Sequence, residues 1–258
     1  MSVLSEHDKQ YHIDLSPGDV GRYVILPGDP DRVPLIAEYL DNPQFAAQKR
    51  EYTTYTGSLS GQKVSVTSTG IGGPSAAIAI EELIKCGADT FIRVGTSGGI
   101  NINVVGGDLV IPMAAVRGDG TSREYLTHDY PAVGDFAVIA ALKQAAEEEG
   151  LRHHVGVVQS KDSFYGELAP ESMPMAGYLN QRWESYIRAG CLASEMECAT
   201  LMSVGLVRNV RVGAVLTAIW NLERPKSGLD NPVCHDSSNA IRCAIDAIKI
   251  LISSDMVV

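Results

Sequence analysis

Arg32, Arg93, Glu195 and Glu197 are the side chains whose types and surroundings first suggest chemistry. Leu26-Pro-Gly-Asp-Pro-Asp-Arg32 lies where a strand should pass into a helix. Gly28 lets the backbone approach a ligand there, and a helix N-terminus beside it favours an anion. The Arg32 guanidinium can grip a phosphate with two parallel hydrogen bonds. Alone, the segment reads more readily as a plain turn with a surface arginine. Ile92-Arg-Val-Gly-Thr-Ser-Gly-Gly-Ile100 sets Arg93 among Phe91, Ile92 and Val94, where an unpaired charge is costly. An ion pair would satisfy it. Thr96 and the glycines that follow point instead to the second arm of an anion site. Ala193-Ser-Glu-Met-Glu-Cys-Ala199 puts Glu195 and Glu197 at a strand-to-helix junction. Two carboxylates could act as acid and base, which spacing alone does not establish, or one could accept hydrogen bonds from adjacent sugar hydroxyls.

Other motifs are informative by their absence. Ser68-Thr-Gly-Ile-Gly-Gly-Pro-Ser75 is glycine-rich but lacks the Lys-Ser/Thr of a nucleotide phosphate loop, so close helix–sheet contact is the preferred reading. No HExxH or GxSxG pattern occurs. His128 and His235 are expected in loops, and His153-His154 at the exposed start of a strand. The five cysteines, Cys86, Cys191, Cys198, Cys234 and Cys243, include no CxxC. Three of them sit in apolar helical patterns, which fits reduced core thiols in a cytoplasmic protein and disfavours disulfides or structural zinc.

The elements that must position these residues alternate. Strands are expected at Arg22–Leu26, Tyr52–Ser58, Lys63–Ser68, Thr90–Val94, Asp108–Val116, Val155–Gln159 and Arg211–Trp220, the second and third joined as a hairpin through Ser60-Gly61. Helices are expected at Asp31–Leu40, with Asp31 as cap, and at Pro74–Cys86, Asp135–Glu149, Met196–Val207 and Ser238–Ser253. Asp162–Ala176 reads as a long irregular loop. Alternating strands and helices imply a three-layer α/β/α fold with a central mixed sheet. Without an internal repeat or a Pro/Ser-rich linker, residues 1–258 are expected to form a single domain.

Composition agrees. The 258 residues are 45% apolar and 20% charged, enough for a sizeable core. The net charge of −10 makes non-specific nucleic-acid binding a poor expectation. The chain has no apolar run of about 18 residues, so no membrane partner is expected. The polar stretch Met1–Leu15 does not have the form of a signal peptide.

As a set, eight stretches resemble the nucleoside phosphorylase family of the hexameric and trimeric α/β type, and within it the uridine phosphorylase group. They are Pro27-Gly-Asp-Pro-Asp-Arg-Val33, Arg50-Glu-Tyr-Thr-Thr54, Ser68-Thr-Gly-Ile-Gly-Gly-Pro-Ser75, Glu81-Glu-Leu83, Arg93-Val-Gly-Thr96, Pro131-Ala-Val133, Asp162-Ser-Phe-Tyr165 and Glu195-Met-Glu197. The resemblance implies phosphorolysis: nucleoside and inorganic phosphate give free base and ribose 1-phosphate. It implies that Gly28, Arg32, Arg93 and Thr96 bind phosphate, with Arg50 lent by a neighbouring subunit. It places Met196 and Glu197 on the ribose, with Glu195 beside them and His12 reaching across from the neighbour. Ser97, Gly98, Phe164 and Glu167 would meet the base. Arg93 and Glu197 would carry the catalysis. Glu51, Ile71 and Ser75 match positions that hold a monovalent cation, K+ or Na+, between subunits; no other cofactor is implied. A homo-oligomer follows, with a dimer as its unit and a hexamer as the expected ring.

The chain departs from the group at the base. The Gln and Arg that read uracil after the Phe-Tyr pair are replaced: Glu167 stands near the first and Ala169 near the second. An ionised Glu167 would repel uracil's carbonyl oxygens, yet could accept from N3–H, and it would suit guanine better. Arg224 could restore a donor. Asn221, where purine-type relatives place an acid, cannot give a proton, which favours a pyrimidine. A phosphorylase for another base therefore stays open, as do a nucleosidase and a non-catalytic nucleoside-binding paralogue. The three arginines argue against the nucleosidase, which would not need them.

Overall fold

The computed structural model describes residues 9–256; residues 1–8 of the Met1–Leu15 stretch lie outside them. In chain order the strands are β1 (Tyr23–Pro27), β2 (Asp41–Lys49), β3 (Tyr52–Leu59), β4 (Gln62–Thr67), β5 (Thr90–Gly99), β6 (Leu109–Gly118), β7 (Ala132–Val133), β8 (His153–Lys161), β9 (Ala193–Glu195) and β10 (Arg211–Asn221). The helices are α1 (Arg32–Ala37), α2 (Gly73–Lys85), α3 (Thr121–Tyr125), α4 (Phe136–Glu148), α5 (Phe164–Leu168), α6 (Ala176–Arg188), α7 (Cys198–Arg208) and α8 (Ser238–Asp255).

The sheet is mixed and runs β10-β6-β8-β9-β5-β1-β4-β3-β2, with β7 on β6. Strand β10 also pairs with β5 along its length, so β5, β10, β6, β8 and β9 form a closed circuit. Period-two alternation assigns each face its own core. Val24, Leu26 and Phe91 join α2 and α7 on one side. Tyr23, Ile25, Ile92 and Val94 join α1, α4 and α8 on the other. Helices thus cover both faces of a central mixed sheet, the α/β/α layering the sequence implies. The same alternation turns Arg93 toward the face of Phe91, beside the start of α7.

The structure corrects several local expectations. Asp31 stands at the N-cap of α1 but has helical dihedrals and makes no capping bond. Caps form at Asp135, whose Oδ1 accepts from the Val138 N–H at 3.0 Å, and at Ser163, whose Oγ accepts from the Gly166 N–H at 3.0 Å. The Gly-Thr-Ser-Gly-Gly stretch continues β5 instead of ending it. A Cβ on Gly99 would lie 2.6 Å from Asn221 Nδ2, so this glycine serves close strand approach. The 162–176 loop contains α5 and a 3-10 turn, Pro170–Ser172. His154 is partly buried, its Nε2 2.8 Å from Asp108 Oδ2. The strand β2 and the helix α6 have no counterpart in the sequence reading. Among the described residues, no helix is long and apolar enough to cross a membrane.

Candidate active site

The ends of β1, β5, β8, β9 and β10 meet at a cavity of about 910 Å³. Arg93 lies at its floor, only 5% exposed. Its Nη2 donates to the Glu197 carboxylate, and its Nε lies 3.9 Å from Glu195 Oε2. Among the described residues, its Nε and Nη1 have no hydrogen-bond partner. A buried guanidinium with unpartnered donors beside a cavity suits an anion. Gly95 gives the guanidinium room, since a Cβ there would fall 3.1 Å from Arg93 Nη2; at Gly28 the tight neighbour of a Cβ would be the Gly70 carbonyl oxygen, at 3.2 Å. Arg32 and Thr96 line the same end.

The carboxylates are fixed by backbone. Glu195 Oε2 accepts from the N–H groups of Glu197 and Cys198 at 2.8 Å, and its other oxygen from the Ser160 hydroxyl. It therefore ties β8 and β9 to the start of α7. Glu197 Oε1 accepts from the Gly72 N–H at 2.6 Å, a geometry opened by the positive φ of Gly72. Burial pushes the Glu197 carboxyl up; Arg93 pulls it back, and Glu195 adds to the rise. Burial works against the Arg93 cation, but the charges of Glu197 and Glu195 outweigh it and hold its pKa above the ordinary value.

Ser97, Gly98, Met196, Phe164 and Glu167 line the same cavity. Among the described residues, the buried Ser97 hydroxyl has no hydrogen-bond partner. Lys161, which no motif in the sequence singles out, lines the cavity as well. Its Nζ lies 2.6 Å from Glu167 Oε1 and 2.6 Å from Ser194 Oγ. A lysine closing an apolar strand just before Asp-Ser-Phe-Tyr was the available signal. Glu51, Ile71 and Ser75 line a further edge, where Ser75 Oγ donates to Glu51 Oε1 at 2.7 Å. That bond, first among several causes, holds the Glu51 carboxyl below its ordinary value. Among the described residues, no cluster of His, Cys, Asp and Glu is arranged to hold a metal ion.

Two expected site residues stand away from the cavity of their own chain. His12 is held by Glu82, Nδ1 to Oε1 at 2.6 Å. Arg50 sits at the β2–β3 turn with a φ of 55°, 5.7 Å from the Tyr11 ring centre.

A family model described as the phosphorylase superfamily matches residues 22–250. The chain belongs to this superfamily. Its relatives include a uridine phosphorylase of Treponema pallidum, 52% identical, covering 99% of each chain. Another, from Thermococcus kodakarensis, is 44% identical over 97% of this chain and 90% of the relative. A guanosine phosphorylase of Halorubrum lacusprofundi is 36% identical over 94% and 99%.

Set within this phosphorylase, two clues about the base change meaning. Asn221 is 1% exposed and its amide is fully engaged: Nδ2 donates to Asn101 O and Val104 O, and Oδ1 accepts from the N–H groups of Glu223 and Arg224. It braces the loop after β10 and does not line the cavity. Arg224 donates to Asp230 O and Ile102 O and does not line the cavity. The cation at the base end is Lys161.

Proposed function

We propose that the chain catalyses uridine phosphorolysis, with inorganic phosphate bound beside Arg93. Two unused donors on a buried guanidinium, in one cavity with Glu197, carry this reading, and the uridine phosphorylase relatives support it. Gly28, Arg32, Arg93 and Thr96 hold phosphate below the sugar, and Arg50 of a second copy completes the cradle. Glu197, Met196 and the neighbour's His12 hold the ribose, while Glu195 positions the Glu197 backbone. Ser97, Gly98, Phe164 and Glu167 face the base.

The C1′–N1 bond breaks and its electron pair leaves with uracil. A phosphate oxygen forms the new bond to C1′, giving α-ribose 1-phosphate. Charge is cation-like at the sugar in between, so the held dianion is both nucleophile and counter-charge. The arginines offset the repulsion between phosphate and the nearby carboxylates. The reaction asks for no organic cofactor. Glu51, Ile71 and Ser75 are read as an interface site for K+ or Na+, the low carboxyl pKa of Glu51 fitting a cation. Residues 1–258 act as one catalytic domain, cytoplasmic, in dimers assembled as a hexamer.

A substrate panel of uridine, thymidine, cytidine, inosine and guanosine, each with and without phosphate, tests this. Uracil and ribose 1-phosphate should appear from uridine only with phosphate. Base release without phosphate would identify a nucleosidase instead. Faster guanosine turnover would move the assignment toward the Halorubrum relative's purine.

A further inference from the structure

We propose that Lys161 and Glu167 together read the lactam edge of the base. The inference rests on the nucleoside reading above but names the residues that set base choice.

The pair lines the cavity and also borders a neighbouring one of about 480 Å³, and it is largely shielded from water, with side-chain exposures of 11% and 9%. Among the described residues, Lys161 Nζ donates to Glu167 Oε1 and Ser194 Oγ, which leaves one of its three N–H groups. Glu167 keeps spare lone pairs beside it. Donor and acceptor therefore stand side by side, 2.6 Å apart. In uracil, N3–H and a flanking carbonyl oxygen lie about 2.3 Å apart, as amide bond lengths dictate. The carbonyl would accept from Lys161 while N3–H donates to Glu167. Phe164, whose ring centre is 5.8 Å from Lys161 Nζ, borders the same space.

This pairing removes the difficulty of a lone carboxylate facing uracil, because Glu167 is matched by an ammonium. It also discriminates. Cytosine offers an N3 lone pair and an exocyclic N–H₂, so Glu167 would meet the lone pair and Lys161 an amino group. Uracil, thymine, hypoxanthine and guanine share the lactam edge; cytosine and adenine lack it. The ammonium near a carbonyl would also stabilise the charge delocalised onto departing uracil.

The test uses the full-length protein with Lys161→Met, Lys161→Arg and the double variant K161M/E167M. The double variant removes both charges at once, which avoids stranding a buried carboxylate. Uridine and cytidine binding is followed by calorimetry without phosphate, and kcat and KM are measured with it. Uridine affinity should fall about 10–100-fold in Lys161→Met, the size of one charged hydrogen bond. KM for phosphate should stay near wild type, and Lys161→Arg should recover part of the loss. In K161M/E167M the preference for uridine over cytidine should drop at least about tenfold. Equal binding of uridine and cytidine by the wild type, or an undiminished preference in the double variant, overturns the proposal. Absence of ribose 1-phosphate from wild-type uridine assays would instead sink the phosphorolysis reading, while the binding data still decide the role of Lys161.

Discussion

Arg93 does two jobs: it offsets the charge of two buried carboxylates and, among the described residues, keeps two buried donors without a partner beside the cavity. Arg93→Ala should therefore lower phosphate-dependent kcat/KM by at least about 10–100-fold and also destabilise the fold, since Glu195 and Glu197 lose their cation. Arg93→Lys separates the two effects. It keeps the charge but loses the planar fork, so KM for phosphate should rise about tenfold or more with the melting temperature nearly held. Initial-rate kinetics against phosphate, beside a thermal melt, check both; unchanged phosphate dependence in either variant removes Arg93 from the phosphate site. Glu167→Gln belongs to the same scale. Read in isolation, Glu167 repels uracil and the amide should help. With Lys161 at 2.6 Å the expected sign reverses, and uridine KM should rise. Arg93 was legible in the sequence because a charge amid Phe91, Ile92 and Val94 demands an explanation. Lys161 was not, because a lysine at a strand end is ordinary on a surface, and its partners at 167 and 194 adjoin it only in three dimensions.

The elements that were legible are those with a buried stripe or strict alternation. Strand β2 escaped because it is an edge strand: its residues are mostly exposed, it contains Pro43, and its register on β3 shifts twice. Helix α6 escaped for a related reason, having no fully buried residue. The last helix shows how an element end is secured. Asp255, at the end of α8, accepts from Arg211 Nη1 and Nη2 at 2.9 and 2.6 Å and from Tyr23 Oη at 2.6 Å. It thereby clamps α8 to β10 and β1. The hydrogen bonds from Arg211, aided by Tyr23, hold the Asp255 carboxyl below its ordinary value of 3.8. A depressed carboxylate contributes stability above the ordinary value and loses it as pH falls through the folded value. Asp255→Asn should thus cost about 1 kcal/mol near neutrality, the pair being partly solvated, or about 2–4 °C in melting temperature. The difference from wild type should fade below pH 3.8. Melts across pH measure it, and a difference that persists unchanged in acid would show that the clamp is not electrostatic.

At the scale of the whole molecule, the proposed site draws on two residues that do not line the cavity of their own chain. Arg32 and Arg93 line that cavity, whereas Arg50 and His12 do not. Both outliers are held in place by their own chain. His12 is anchored on Glu82, a residue buried in α2. Arg50 occupies a left-handed turn beside Tyr11, whose carbonyl accepts from Lys49 Nζ at 2.6 Å. An arginine and a histidine presented together but away from the local cavity fit donation to a second copy related by a twofold axis. Arg50→Ala and Arg93→Ala should each be nearly inactive alone. Co-expressed, the two chains should complement. In a mixed dimer, one cavity takes Arg93 from the first chain and Arg50 from the second, and is complete; the other lacks both. If the chains assort at random, half of the dimers are mixed and each has one intact site, so activity should recover to about a quarter of wild type. Steady-state assays on the co-purified mixture, with differently tagged chains to isolate mixed dimers, give the measurement. Activity no greater than the two variants separately would mean that Arg50 serves its own chain's site or none, and the twofold arrangement would have to be abandoned.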